Sequence, residues 1–499
     1  MGRAAFELDA LAATLAPVVL ERAAALGCGH AEVRLERIRT QVVVVRDGAV
    51  ETAVDDVDTG AGVRVVHGGA LGFAGTDLLG VDDMAGLAVA ATAAARACAP
   101  AVRRPVVLAD EPVHAGVTWV GGHGIDPTTV PLADKVDRLQ EWSERLLRTS
   151  GVAHVTAMVT AVSEEKHYAD LAGTVTRQFR VRTHPVVEAV AVADDGDFES
   201  MRTLAPPTAR GWEYLDGTGA DLDAEVDELP ELLAAKLAAA SVEPGRYDLV
   251  IDPSNLWLTI HESIGHALEL DRALGYEAAY AGTSFATVDG LGTLRYGAPI
   301  MHVTGDRTVA HGLATVGFDD EGVQAQAFDL VADGILVGYQ LDRKMAAESG
   351  LGRSNGCAFA DSPLHVPIQR MANVSLAADP HGPAVDELIA GTDRGIFVVG
   401  DKSWSIDMQR HNFQFTGQRF YRIERGRLAG QLRDVAYQSR TTDFWSSLDA
   451  LGGPSTYVLG GAMNCGKGQP GQVAAVSHGC PAARFRSVTV LNARAEAGR

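Results

Sequence analysis

Three residues in one short stretch have types and spacing suited to chemistry. They are His261, Glu262 and His266, in the string NLWLTIHESIGHALELD. Neutral imidazole nitrogen is a good zinc ligand, and a glutamate beside the metal can take a proton from water. The spacing is H-E-x-x-x-H. Ligands four residues apart lie about 40° from each other around an ideal helix, but ligands five apart lie about 140° apart. An ideal helix would aim His261 and His266 at different faces. To meet at one ion the turn must loosen, for example by a one-residue bulge, and Gly265 offers backbone freedom for it.

Such a site needs a third donor. Cys465 sits in the glycine-rich GGAMNCGKGQPGQ, which lets backbone approach an ion closely, and Lys467 is placed to hold a thiolate. Cys480, in SHGCPAAR beside His478, is the rival. Residue chemistry leaves these two open. Cys28 and Cys98 read as buried packing residues in helical contexts.

The elements around the motif follow from pattern. Tyr247–Ile251 reads as a strand, and Ser254 or Asn255 as the cap of the motif helix. Upstream, residues 6–27 carry helical spacing with Pro17 inside. Ala31–Arg37, Thr40–Arg46 and Val50–Val54 alternate as strands about an Asp47-Gly48 turn. Gly60–Val66 and Ala70–Gly75 read as a further hairpin, and Asp82–Cys98 as an alanine-rich helix. Leu132–Leu147 reads as a solvated helix laced with charge. Val152–Ser163, Lys166–Leu171 and Thr174–Ala193 read as a three-strand meander closed by a turn at Asp194, Asp195, Gly196 and Asp197. Val226–Ala240 is a further helix.

The expected fold class is α+β. A mixed α/β N-terminal unit (1–110) and a central strand-and-helix unit (111–243) precede a strand-rich, mostly antiparallel half (244–499) that carries the motif helix. At about 150 residues per domain, 499 residues suit roughly three domains. The 43 basic and 64 acidic residues leave a net charge of −21, which disfavours a phosphate backbone as partner. Five scattered cysteines do not make a disulfide framework and point to a reducing, cytoplasmic setting. Residues 84–102 are mostly alanine and include Arg96, too weakly apolar for a membrane span.

Several segments together resemble one family. HESIGHALELD, FDDEG (318–322), DGILVGYQLDR (333–343), PIQRMANV (367–374) and NCGKGQPGQVAAVSHGCPAARF (464–485) are similar to the TldD/PmbA metalloproteases, on the TldD side because the partner TldE lacks the histidines. The resemblance runs over almost the whole chain. It implies a zinc ion on His261, His266 and Cys465, with Glu262 as general base. It also implies a heterodimer with a PmbA/TldE-like subunit, an enclosed site, and short or unfolded peptides as substrates, including precursors of peptide natural products. The segment Gly400–Tyr421 departs from the family by its Trp, Arg and His content. Only Glu269 and Asp271 keep the acids that follow the motif.

A strand-rich half suggests that a peptide binds extended along a sheet edge. Asp319, Asp320 and Glu321 read as a turn, with a peptide amino end as the alternative. Arg370, Asn373 and His411 are candidates for substrate contact or oxyanion support, with structural roles as the alternative. Two other functions fit the same residues: a zinc-containing peptide-binding subunit without turnover, and a peptide-tailoring enzyme that does not hydrolyse.

Overall fold

The computed structural model describes residues 6–193 and 196–496, so Asp194 and Asp195 of the expected turn lie outside the described residues. The first part is built on one large sheet. Helix α1 (Asp9–Ala25) turns Ala12, Leu15, Val19 and Ala23 inward, the three- and four-residue rhythm of one helical face. Strands β1 (His30–Arg46) and β2 (Ala49–His67) form a long hairpin. Asp47 and Gly48 both take positive φ at its turn (49° and 78°), the backbone a two-residue primed turn needs. Strand β3 (Ala70–Thr76), helix α2 (Val81–Cys98), strand β4 (Ala115–Val120) and helix α3 (Leu132–Leu147) follow. Then come β5 (His154–Asp170), β6 (Val175–Val192), β7 (Phe198–Arg202) and α4 (Leu222–Leu237). The strand order is β3-β2-β1-β5-β6-β4, with β7 also on β6.

Side chains alternate across a strand, so the sheet has two unlike faces. Val33 and Leu35 of β1 pack with α1 and α2, and Val43 and Val45 pack with α3 and α4. The stretch Val81–Ala101 is long and apolar enough by composition to cross a membrane, contrary to the reading of residues 84–102. Here Met84, Leu87, Ala88, Ala91 and Ala95 are spent on this core. Helix α3 is also less solvated than its charges suggest, because Lys135, Leu139, Trp142, Ser143 and Leu146 are buried.

The opposite face carries charge and meets the second half of the chain. Arg34 and Lys166 reach Asp320 at 3.4 and 2.6 Å, Arg64 reaches Glu321 at 2.7 Å, and Arg180 and Arg182 hold Glu164 at 2.8 Å. This explains why the expected break between Ser163 and Lys166 is absent and β5 runs unbroken. A run of Ser-Glu-Glu-Lys looks unlike a strand interior, but here each charge has a buried partner. The FDDEG turn is thus a clasp between the two halves.

The second half confirms the strand-rich, mostly antiparallel α+β expectation. Strand β8 (Gly245–Ile251) leads into helix α5 (Pro253–Ile260). Later strands are β9 (Arg394–Ile406), β10 (Asn412–Glu424), β11 (Val435–Arg440), β12 (Val458–Lys467), β13 (Gln472–Cys480) and β14 (Ala483–Asn492). Their pairings close into a ring, β9-β8-β14-β11-β10 and back to β9, of which only β8 with β9 is parallel. Strands β12 and β13 form a separate two-stranded sheet. Phe413, Phe415, Tyr437, Phe444 and Phe485 belong to one buried core, with Phe444 and Phe485 stacked at 4.0 Å.

Helix α5 is capped by Asp252, whose carboxylate accepts from the Ser254 amide at 2.9 Å, rather than by Ser254 or Asn255. Asn255 is spent elsewhere: its amide donates to the Gly400 and Thr416 carbonyls at 2.9 and 3.0 Å. The Tyr437 hydroxyl joins Asn255 and Thr259 to β11 at 2.8 and 2.9 Å. These bonds tie the motif helix to the strands beside it.

Candidate metal centre

The α-helical ladder ends at Ile260, and His261–Gly265 forms a π-helical turn. The His266 amide donates to the His261 carbonyl at 3.0 Å, a five-residue step. Wider turns bring residues five apart onto one face, so the awkward histidine spacing is resolved by the backbone as the loosened turn required. The imidazole rings lie 4.7 Å apart. Gly265 serves the turn differently from the expected flexibility. A Cβ there would lie 2.5 Å from Met371 Sδ, so glycine lets the Met371 side chain pack directly on the turn.

Cys465 comes from β12, 199 residues along the chain from His266, and its Sγ lies 3.5 Å from His266 Nε2. Ligand atoms of His261, His266 and Cys465 all fall within 4.8 Å of one another, and all three residues are buried. Cys480 is elsewhere, with its Sγ 3.8 Å from the Pro253 carbonyl and its thiol pushed well up by burial. Cys28 is buried beyond the end of α1, 3.3 Å from Thr92 Oγ1, whereas Cys98 is exposed rather than packed.

Hydrogen bonding assigns the ring tautomers. The Val374 carbonyl can only accept, so His478 Nδ1 carries a hydrogen toward it at 2.9 Å. Burial and the His261 ring hold His478 neutral, well below the usual histidine range. Its Nε2 therefore accepts, and His261 Nδ1 donates to it at 2.7 Å. That leaves a lone pair on His261 Nε2. Likewise Glu269 accepts from His266 Nδ1 at 2.8 Å, leaving His266 Nε2 as a lone pair facing the sulfur. Burial lowers both rings toward neutrality. Burial alone would raise the Cys465 thiol, but His266 and Arg370 outweigh it and lower it. Two neutral imidazoles and a thiolate-prone sulfur, each oriented by a second partner, fit a borderline-soft divalent ion such as zinc.

Lys467 does not hold the thiolate as the sequence suggested. Its ammonium bonds Asp271 at 2.8 Å, Gln369 at 2.9 Å and Glu269 at 3.1 Å. The two acids after the motif are therefore the lysine's anchors. Arg370 instead grips the cysteine strand, donating to the Cys465 carbonyl at 2.5 Å and the Gln472 carbonyl at 3.0 Å. Asn373 accepts from Ala314 and Ser477 amides, and His411 stacks on Phe285 at 5.2 Å. These three are structural in this geometry.

Glu262 lines the same cavity and is met by Arg410, whose Nη1 lies 2.5 Å from Glu262 Oε2. Sequence reasoning passed over Arg410, although the unusual Gly400–Tyr421 segment contains it. His478 was noticed only as a neighbour of Cys480. Neither has a local signature, because each reaches the motif from a distant strand or loop. The cavity holds about 710 Å³. Met158, His184 and Arg202 from the first sheet form part of its wall, facing residues of β12 and the motif helix.

Comparison with known proteins agrees with this picture. Residues 244–492 match the model of the PmbA/TldA metallopeptidase C-terminal domain, and residues 31–98 match domain 1 of the same family. A Methanothermobacter thermautotrophicus protein named Metalloprotease is 27% identical over 92% of this chain and 95% of its own. A Haemophilus influenzae protein named Metalloprotease TldD homolog is 24% identical over 92% of each chain. A Saccharolobus solfataricus protein named Zinc metalloprotease TldD homolog is 25% identical over 54% of this chain and 57% of its own. Among solved structures, TldE from Thermococcus kodakarensis superposes with a TM-score of 0.70 at 14% identity, over 95% of this chain and 98% of that one. A Bacteroides thetaiotaomicron structure gives 0.74 at 16% identity, over 97% and 100%. With both family models matched and relatives aligned along most of its length, this chain belongs to the PmbA/TldD metallopeptidase family.

Proposed function

We propose that this protein is a zinc-dependent peptidase of the TldD type, hydrolysing short or unfolded peptides. The observation that carries the reading is the convergence of ligand atoms of His261, His266 and Cys465 beside Glu262 in one cavity. The relative named a zinc metalloprotease supports zinc as the ion. Zinc on these donors would supply Lewis acidity, making water nucleophilic near neutral pH and polarising a peptide carbonyl. His478 and Glu269 keep the two imidazoles in the ligating tautomer. Glu262 takes the proton from the attacking water and passes it to the leaving amine. Walls from both halves of the chain surround that transfer.

Strand β12 supports extended binding. Among the described residues it pairs only with β13, and Gly460–Gly466 line the cavity. A peptide laid along that edge would gain backbone hydrogen bonds without strict side-chain choice. The likeness to TldE and to the PmbA/TldD family supports a heterodimer with a PmbA/TldE-like subunit, which would cover the cavity. Cytoplasmic action on peptide precursors of natural products is the setting this reading favours.

The test is the zinc-loaded complex with its partner, given an unfolded peptide. Two fragments whose masses sum to substrate plus water are expected, and Glu262→Gln is expected to keep its zinc and lose most turnover. Intact peptide bound without fragments would mean a binding subunit, and a mass change without cleavage a tailoring enzyme.

A further inference from the structure

We propose, on the peptidase reading above, that Arg410 is the oxyanion donor of this site, a catalytic residue that hydrogen-bonds the carbonyl oxygen of the scissile peptide. The first observation is unused capacity. Arginine has five N–H donors in a planar fork. Arg410 spends Nη1 on Glu262, while its Nη2 has no hydrogen-bond partner among the described residues. That second terminal nitrogen is free to donate to an acceptor entering the cavity. The guanidinium lines the same cavity as His261, His266 and Cys465.

The second observation is how firmly the residue is held. Arg410 adopts φ of +62°, a left-handed backbone that a non-glycine residue keeps only where surroundings impose it. Those surroundings are visible. The Asp407 carboxylate accepts from the amides of Gln409, His411 and Asn412 at 3.1, 2.8 and 3.0 Å. Thr441 Oγ1 donates to the Arg410 carbonyl at 2.7 Å. The Thr283 and Phe285 amides donate to the Met408 and Gln409 carbonyls at 2.7 and 2.9 Å. A hairpin tip clamped from three sides presents one cation to the base. Preorganisation of this kind is what lets a donor act on developing charge without rearranging.

The third observation removes competitors. Arg370 is occupied by the Cys465 and Gln472 carbonyls, and Arg202 is paired with Asp401 at 2.5 Å. Asn373 is engaged with the Asp306 carbonyl and Thr315. A thiolate donor also makes the metal a weaker acid than a third histidine would, which raises the demand for a second source of positive charge.

The step balances as follows. Water oxygen bonds to the peptide carbon while Glu262 takes the water proton, and the carbonyl oxygen gains negative charge facing Arg410. The guanidinium donates hydrogen bonds to that oxygen and transfers no proton. The C–N bond then breaks, the carbonyl reforms, and the proton on Glu262 leaves with the amine.

The experiment compares wild type with R410M and R410K in the zinc-loaded complex with the partner subunit. R410M is expected to keep full zinc content and near-normal KM while kcat falls by about 10²–10³-fold. R410K should recover part of the loss, and added guanidinium salt should partly rescue R410M. A phosphinic peptide that mimics the charged tetrahedral carbon should bind R410M more weakly by a similar factor, read by calorimetry. The uncleaved parent peptide should bind E262Q and E262Q/R410M alike. Unchanged phosphinate affinity in R410M and R410K, or kcat within threefold of wild type, would overturn the assignment while leaving the peptidase reading in place. Wild-type complex that holds zinc but yields no fragments would overturn the peptidase reading, and this assignment with it.

Discussion

His261 Nδ1 and His478 Nε2 are 2.7 Å apart, with His478 anchored in turn on the Val374 carbonyl. This relay reaches from the sheet of β12 and β13 to the motif helix and decides which nitrogen of His261 is free to bind metal. Replacing His478 with alanine should weaken zinc binding by about 10–100-fold without removing a ligand. Competition with a chelator of known affinity reads this directly. An affinity equal to wild type would mean that His261 is oriented by packing alone.

The two candidate cysteines should separate cleanly. Cys465→Ala should lose the ion, as should His261→Ala and His266→Ala, because three protein donors leave none to spare. Cys480→Ala should keep full zinc and cost on the order of 1 kcal/mol in packing. Metal analysis of the purified variants, paired with thermal unfolding, distinguishes a ligand from a core residue.

Lys467 is 1% exposed and sits among Glu269, Asp271 and Glu277, at 3.1, 2.8 and 3.7 Å. Burial would lower its ammonium, but the three carboxylates raise it. Lys467→Met would leave buried negative charge without compensation, an effect of about 3–5 kcal/mol. Chemical denaturation should show that loss of stability. A variant as stable as wild type would show that Arg272 neutralises the cluster by itself.

Asp342 gives a pH-dependent stability. It caps the helix Arg343–Ser349, accepting from the Met345 amide at 2.6 Å. Burial, and then the nearby Glu321, push its carboxyl from 3.8 up to about 7. The folded protein therefore binds a proton between those values that the unfolded chain has released, so stability falls as pH rises from about 4 to about 7. Asparagine keeps the cap and cannot ionise. Asp342→Asn should match wild type near pH 4 and exceed it at pH 8, by at most about 4 kcal/mol at 1.36 kcal/mol per unit. Melting temperatures across that range read the slope, and parallel profiles for the two proteins would refute the shift.

Local sequence was enough for much of this molecule. Asp47-Gly48 announced the first hairpin because its turn needs two positive φ angles, and the alternation beside it announced the strands. The motif residues, and even the loosened turn between them, follow from the five-residue spacing, since a regular helix could not bring both rings together. Local reading failed wherever a partner comes from far along the chain. Glu164 falls in the gap between two expected strands until Arg180 and Arg182 arrive to neutralise it. Lys467 looks like a partner for its neighbour Cys465 until the fold delivers Glu269 and Asp271. The choice between Cys465 and Cys480, the tautomer of His261 and the meeting of Glu262 with Arg410 all depend on the packing of the motif helix against the β12-β13 sheet and the tip of the β9-β10 hairpin. Periodicity and turn chemistry act over a few residues and are written in order along the chain. Ligation and ion pairing act through space, so only the assembled fold could decide them.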